Sequence, residues 1–286
     1  MPMWPPPGPG NSAIHKKNTD MVIKAPAPEA KAAEGLLMTS LRKTALVAGV
    51  FYLITFISIP TLALYGPVKN HPDWILSSGG HAGVLVGGLL EVIVALAGIG
   101  TAVTLYPVVR RQHEGLALGF VTARVLEAGI IFTGVVSLLS LVTLRQNLGG
   151  AAGAQAASLI TTGASHVAVY DWTFLLGQSL MPAINALLLG TLMYQSRLVP
   201  RIIPAVGLIG APLQLIAVFA MLFGNVEHTS ALAHLPTLPI AAWELSLGLW
   251  LTMKGFRPCP ITAEITAERP SLRRAPEQQP AQAPAR

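Results

Sequence analysis

Charged side chains are rare in the apolar middle of this chain, and four of them lie deep inside long apolar runs: Glu91, Arg124, Glu127 and Glu244. A charge placed in hydrocarbon costs roughly 2.5–3.5 kcal/mol, so each one requires a partner or a function. Arg124 and Glu127 are three residues apart, which places them on one face of a helix and within reach of each other. If they pair, Glu91 and Glu244 must share Arg124 or stay uncharged, and such carboxylates can take up and release protons.

Uncharged polar residues are expected at a similar depth in other apolar runs. Gln178 and Gln214 lie there, and Asn185 lies further along the same run as Gln178. Five of six apolar runs then contribute to one polar layer, and only the first contributes nothing. Two interpretations remain open. The layer is either a site for protons or a small polar or cationic ligand, or a hydrogen-bonded network that holds closely packed helices together.

A second set of candidates consists of histidines and a carboxylate near one predicted face, and these residues are His81, His166, Asp171 and His234. Imidazole and carboxylate groups together suit zinc or copper. No HxxxH or HxH spacing brings two of them together locally, so we predict neither a metal nor another cofactor. The sequence also contains no GxSxG, HExxH, P-loop or dinucleotide-binding motif.

The candidate residues lie in apolar segments that are long enough to cross a bilayer core about 30 Å thick at 1.5 Å per residue. Transmembrane strands are excluded because they would alternate in polarity over about ten residues, whereas these runs are continuous. We therefore predict an all-α integral membrane protein, a six-helix bundle. The predicted helices are 44–65, 83–106, 117–144, 168–194, 202–224 and 234–253.

Composition agrees with this fold class, since 52% of the 286 residues are hydrophobic and 11% are charged, against about a quarter charged in soluble proteins. Residues 1–43 are rich in proline, alanine and lysine and are predicted to be a disordered basic arm. Residues 44–256 form the transmembrane domain, and the proline-rich residues 257–286 form a disordered tail. The loop 145–167 is expected to be flexible or partly helical. Cys259 is the only cysteine, which excludes an intrachain disulfide.

The basic residues predict the orientation. Of 19 lysines and arginines, 16 fall in segments on one side of the predicted bundle, two (Lys69 and Arg145) fall on the other, and Arg124 lies within a helix. The positive-inside rule then places both termini in the cytoplasm. This bias also accounts for the net charge of +6, so no nucleic-acid partner is expected and the lipid bilayer is the expected environment.

Several segments resemble a family of bacterial multi-pass membrane proteins known only as a domain of unknown function, DUF 4386. They are LYPVVRRQHEGLALGFVTARVLEAGIIFTG (105–134), SRLVPRIIPAVGLIG (196–210) and WELSLGLWLTMKGF (243–256). The shared features are a Tyr-Pro followed by paired arginines, an intramembrane Arg-x-x-Glu and a last helix that contains a glutamate. The resemblance covers about residues 42–257 and implies a helical bundle in the bacterial inner (cytoplasmic) membrane, with no substrate, reaction or cofactor to carry over.

Three functional hypotheses follow. The first is a transporter of a small solute, or a proton-coupled one, that uses the polar layer Glu91, Arg124, Glu127, Gln178, Gln214 and Glu244. The second is a structural or regulatory membrane protein in which that layer only packs the helices. The third is an intramembrane enzyme whose site opens at the histidine-bearing face.

Overall fold

The structure is a computed structural model that describes residues 28–77, 79–224 and 235–274. The described residues are helical throughout, apart from turns and short connections. The seven main helices are α1 (Pro28–Ile54), α2 (Ala82–Val109), α3 (Glu114–Leu148), α4 (Ala154–Ser196), α5 (Ile202–Leu222), α6 (Thr237–Met253) and α7 (Pro260–Arg274).

Five of the six predicted membrane spans correspond to helical segments that are long and apolar enough to cross a membrane. The first of these combines the end of α1 with the turns that follow it, Ser40–Leu64, and the others are α2, α3, α4 and α5. The sixth prediction corresponds to α6, which has 17 residues in the described part of the chain, whereas each of the other five segments has at least 21. At 1.5 Å per residue, α6 is about 25 Å long.

Both predicted disordered segments contain helix. Residues 28–43 form the first part of α1, and residues 260–274 form α7. The helices therefore extend past the predicted limits of the membrane domain, and residues 1–27 and 275–286 lie outside the described part of the chain. The side chain of Ile261 packs into the core at the end of the bundle, which explains why this part of the tail folds back onto the membrane domain.

The connection between α3 and α4 is much shorter than the predicted loop 145–167. Helix α3 continues to Leu148, α4 begins at Ala154, and only Gly149–Gly153 separates them. At 1.5 Å per residue, the 43 residues of α4 extend about 65 Å, more than twice the thickness of a hydrocarbon core. Helix α4 is therefore longer than a single crossing requires, and near its start Leu159 belongs to one hydrophobic cluster with Trp74 and Ile75 of the α1–α2 connection.

The six helices α1–α6 form a closed ring in chain order. Each helix contacts the next, and α6 returns to contact α1. Small residues permit these close contacts. A Cβ atom at Gly207 of α5 would lie 2.7 Å from Cγ of Trp243 of α6, so the indole ring can lie against the α5 backbone only because residue 207 is glycine.

Two hydrophobic clusters fill the two ends of the ring. The larger one, around Phe120, Leu189 and Trp243, lies toward the end that carries Arg110, Arg197 and Arg257, which we call the arginine-bearing end. The smaller one lies toward the opposite end and includes Tyr65, Trp74, Leu138 and Tyr170. Along α2, α3 and α4, the residues between these clusters line a cavity.

Candidate functional site

At the centre of the ring, one arginine binds two carboxylates. Nη1 of Arg124 donates to Oε2 of Glu127 at 3.0 Å, and Nη2 donates to Oε1 of Glu244 at 2.8 Å. The i, i+3 spacing on α3 places the first pair on one helix face, as predicted, and α6 supplies the second carboxylate. Arg124 is 3% exposed, so the guanidinium group is removed from solvent.

Two further helices contribute to this triad. Nδ2 of Asn185 on α4 donates to Oε2 of Glu127 at 2.7 Å, and Nη2 of Arg124 donates to the hydroxyl oxygen of Tyr52 on α1 at 3.4 Å. The expectation that the first helix adds nothing to the polar layer was therefore wrong. The expectation was wrong because Tyr52 was counted as a hydrophobic residue of the first apolar run. A tyrosine has an apolar ring, but the hydroxyl group at the end of the ring is polar.

The charges of the triad do not balance when all three groups are ionised, because one guanidinium group faces two carboxylates. Buried charges attract and repel more strongly than exposed ones because little water screens them. Nε of Arg124 has no hydrogen-bond partner among the described residues, although it is buried. With all three groups ionised, the site therefore has an excess of one negative charge, and it has an unused hydrogen-bond donor.

Glu91 lies in a separate polar cluster and does not share Arg124. Its Oε1 accepts hydrogen bonds from the hydroxyl of Tyr170 at 2.8 Å and from Nε2 of Gln178 at 3.0 Å, and its Oε2 accepts one from the hydroxyl of Tyr65 at 3.3 Å. Three neutral donors surround this carboxylate, which is 1% exposed. Glu91 is seven residues from Gly98, the α2 residue that lies beside Arg124, so the two clusters are about 10 Å apart along α2.

Gln214 belongs to a third polar contact. Its Oε1 accepts a hydrogen bond from the hydroxyl of Thr237 at 3.1 Å, and this contact joins α5 to the first turn of α6. The residues that were predicted to form a single polar layer therefore form three separate groups. These groups are the triad of Arg124, Glu127 and Glu244, the Glu91 cluster, and the Gln214–Thr237 pair.

A cavity of about 200 Å³ joins these three groups, and we call it the central cavity. Its wall includes all three members of the triad, together with Gln178 of the Glu91 cluster and Thr237. The remaining wall is mostly apolar and includes Phe56, Ala95, Ile131, Pro182, Ile240 and Ala241. At about 30 Å³ per water molecule, this volume corresponds to about seven waters or one small organic molecule.

Two of the helices that border the cavity lose regular α-helical geometry beside it. Helix α1 ends at Ile54 and continues as a 3₁₀ turn, Thr55–Ser58, shortly before Pro60. Helix α4 contains a π-helical segment, Phe174–Leu180, which ends two residues before Pro182. Pro182 has no N–H, so the carbonyl of Gln178 cannot receive its α-helical hydrogen bond. Such interruptions frequently occur at functional sites.

The histidine and carboxylate candidates do not converge. Nε2 of His81 lies 3.1 Å from Nε2 of Gln146, and Nδ1 of His166 lies 3.0 Å from the hydroxyl of Ser137. Asp171 forms an ion pair with Lys69 at 2.7 Å. In the part of the chain that the structure describes, no three His, Cys, Asp or Glu side chains form a group that could hold a metal. His234 lies outside the described residues.

Sequence reasoning missed three residues of the site, Tyr52, Tyr65 and Tyr170. Each hydroxyl contacts a charged group that had been recognised from the sequence: Arg124 in the first case and Glu91 in the other two. Tyr170 could have been recognised from the sequence, because it lies in the predicted helix 168–194 and the hydroxyl group of a buried tyrosine requires a hydrogen-bond partner.

Comparison with protein families gives one match. A family model described as "Domain of unknown function (DUF4386)" matches residues 47–255, which include all six helices of the ring in whole or in part. The comparisons with curated proteins and with solved structures gave no match.

Proposed function

This chain belongs to the DUF4386 family of proteins, and we propose that it is a membrane carrier for a small cationic or polar solute, with transport coupled to protons. The central cavity is the proposed binding site. Arg124, Glu127 and Glu244 are the proposed binding residues, and Glu91 is the proposed second proton-holding group.

The observation that carries this proposal is the charge imbalance on the wall of a cavity large enough for a solute. Two carboxylates and one guanidinium group line it. A small cation that enters the cavity would balance the second carboxylate, and so would a proton. Competition between the two for Glu244 provides a physical basis for coupling, because only one of them can neutralise the carboxylate at a time.

The interrupted helices also support a carrier. In many transporters the substrate site lies near the middle of the membrane, where discontinuous helices leave backbone groups free to bind the substrate or to bend. The 3₁₀ turn at Thr55–Ser58 and the π segment at Phe174–Leu180 both border the central cavity. A network that served only to hold the helices together would not require either interruption.

Glu91 supports the coupling to protons because of its position. It lies about 10 Å from the triad along α2, toward the opposite end of the bundle. Gln178 donates to Glu91 and also lines the central cavity, so it connects the carboxylate with the cavity. We propose that a proton passes between Glu91 and the triad through water in this cavity.

We propose in addition that the arginine-bearing end faces the cytoplasm of a bacterial cell and that the chain lies in the cytoplasmic membrane. The support comes from the lysines and arginines next to the described membrane helices. Two of them, Lys69 and Arg145, lie at the opposite end, and the others lie at this end: Arg42, Lys43, Arg110, Arg111, Arg197, Arg201, Lys254 and Arg257. The Glu91 cluster would then be the outer of the two clusters, and the triad would be the inner one.

The test replaces Glu244 with glutamine in proteoliposomes that contain a trapped pH-sensitive dye. Glutamine keeps the size of the side chain but carries neither the charge nor the exchangeable carboxyl proton. We expect proton uptake driven by a potassium diffusion potential, and uptake of radiolabelled methylammonium, to fall roughly tenfold or more. The matched control is Glu264→Gln on α7, where the same chemical change affects a side chain that is 56% exposed. Undiminished proton and methylammonium flux in Glu244→Gln would refute the proposal.

A structural role for the triad is the second candidate, and the direct contacts between Arg124 and the two carboxylates favour it. It predicts that Glu244→Gln lowers the stability of the protein in detergent, while the flux per folded molecule stays at the level of a protein-free liposome in both wild type and variant. Measuring the flux relative to the amount of folded protein separates the two functions.

A further inference from the structure

We propose a second binding site, separate from the central cavity, that takes an anionic phosphate group at the arginine-bearing end. Three arginines, Arg197, Arg201 and Arg257, surround a surface cavity of about 440 Å³. Val199 and Pro258 complete its wall. Arginine is the side chain best suited to phosphate, because the planar guanidinium group can donate two parallel hydrogen bonds.

The backbone holds the two loops that supply these arginines together. The backbone N–H of Arg257 donates to the carbonyl of Leu198 at 2.8 Å, which ties the segment after α6 to the turn between α4 and α5. Leu198 and Val199 are fully buried and anchor this turn in the core. The backbone that carries the arginines is therefore already ordered. Because a ligand does not have to order it, less of the binding free energy is lost on binding.

The turn itself has an unusual conformation that directs Arg197. Arg197 has a φ of 59°, and in the part of the chain that the structure describes it is the only residue other than glycine with a positive φ. The hydroxyl of Ser196 accepts a hydrogen bond from the N–H of Leu198 and helps to fix this conformation. Arginine is not favoured in the left-handed region, so its presence here points to a use for the side chain in this position.

The three guanidinium groups form no ion pair with a carboxylate of the described residues. The guanidinium group of Arg201 stacks on the ring of Tyr194, with 4.9 Å between Cζ and the ring centroid, and this contact leaves its N–H groups free for a ligand. Arg201 also precedes the first turn of α5, whose positive dipole end adds to the local charge. The cavity wall therefore carries three positive charges that no described carboxylate pairs with.

The position at the edge of the bundle favours a phospholipid headgroup over a soluble phosphate. Ile202, next to Arg201, is 71% exposed, and Ile209 on the same helix is 66% exposed. Large apolar side chains exposed on a membrane helix face the acyl chains, so the three arginines border the lipid-facing surface. An anionic lipid can place its phosphate in the cavity while its tails lie along α5.

The experiment measures lipid binding to the purified full-length protein by native mass spectrometry in detergent. Phosphatidylglycerol and phosphatidylcholine are added in equal amounts, with and without inorganic phosphate. We expect phosphatidylglycerol to bind preferentially, and Arg197→Gln and Arg257→Gln each to weaken this binding about tenfold. Arg110→Gln is the matched control, because it removes one exposed charge from the same end in a different turn.

The outcomes distinguish the sources of the phosphate. Preference for phosphatidylglycerol that millimolar inorganic phosphate does not abolish supports the headgroup. Binding of inorganic phosphate that depends on Arg197, without a preference between the lipids, supports a soluble phosphate compound. Arg197→Lys keeps the charge and the fold but loses the paired hydrogen bonds, and we expect intermediate binding. Equal loss in Arg110→Gln and Arg197→Gln, or no binding of either anion by the wild type, overturns the proposal.

Discussion

Replacing Arg124 with glutamine tests whether the triad is a charged unit. The substitution removes the guanidinium group that binds Glu127 at 3.0 Å and Glu244 at 2.8 Å. Two carboxylates then lie in the ring without a cation. Removing one partner of a buried ion pair costs about 3–5 kcal/mol, chiefly because a buried charge loses its compensation.

The magnitude follows from the burial of the three groups. The side chain of Arg124 is 3% exposed, and those of Glu127 and Glu244 are 10% and 14% exposed, so solvent screens the pairs only weakly. We therefore expect Arg124→Gln to lower the free energy of unfolding by about 3–5 kcal/mol. The assay is equilibrium unfolding in mixed detergent micelles, followed by the fluorescence of the tryptophans.

A triple variant supplies the control. Arg124→Gln combined with Glu127→Gln and Glu244→Gln replaces both glutamates with amides of the same size and the arginine with a smaller amide, so that no buried charge is left without a partner. We expect the triple variant to be more stable than Arg124→Gln alone, although it carries two additional substitutions. If the single variant is as stable as the triple variant, the carboxylates are not charged beside Arg124, and the reasoning about charge imbalance fails.

Two further predictions concern packing and the central cavity. Gly207→Ala should lower the unfolding temperature in detergent because the new Cβ would lie 2.7 Å from Cγ of Trp243, whereas Gly129→Ala, where the new Cβ meets open space, should leave it unchanged or raise it slightly. Equal effects of the two would contradict the close contact between α5 and α6. Ala241→Phe should reduce methylammonium and proton flux in proteoliposomes because Ala241 lines the cavity, and Ala242→Phe, which adds the same ring at the exposed neighbouring position, should not. Loss of flux in both variants would show that the cavity is not the route.

The positions of the membrane helices could be predicted because continuous apolar runs are a local property of the sequence. The residues at which these helices begin and end were harder to predict. The residues after Gly153, such as Ala154 and Ala157, are small and compatible with either helix or loop, and α4 begins there because Leu159 finds a buried position against the α1–α2 connection. That contact joins residues far apart in the sequence.

In the candidate site, too, contacts between residues close together in the sequence could be predicted, whereas contacts between distant residues could not. The pair Arg124–Glu127 could be predicted from a spacing of three residues. Glu244 is 120 residues from Arg124, and their contact depends on α3 and α6 facing each other across the ring. Sharing of the arginine was one of the options that the sequence left open. The separation of Glu91 from the triad could not be predicted, because it depends on hydroxyl groups of tyrosines that read as hydrophobic residues.

The π-helical segment Phe174–Leu180 sets the rotational phase between the two halves of α4. Tyr170 before it faces Glu91, and Asn185 after it faces Glu127. Deleting one residue from the segment would remove the π-helical insertion and would turn everything beyond it by about 100°, which would direct Asn185 away from Glu127. A relative with one residue fewer between Tyr170 and Asn185 must therefore supply the partner of this carboxylate from another position.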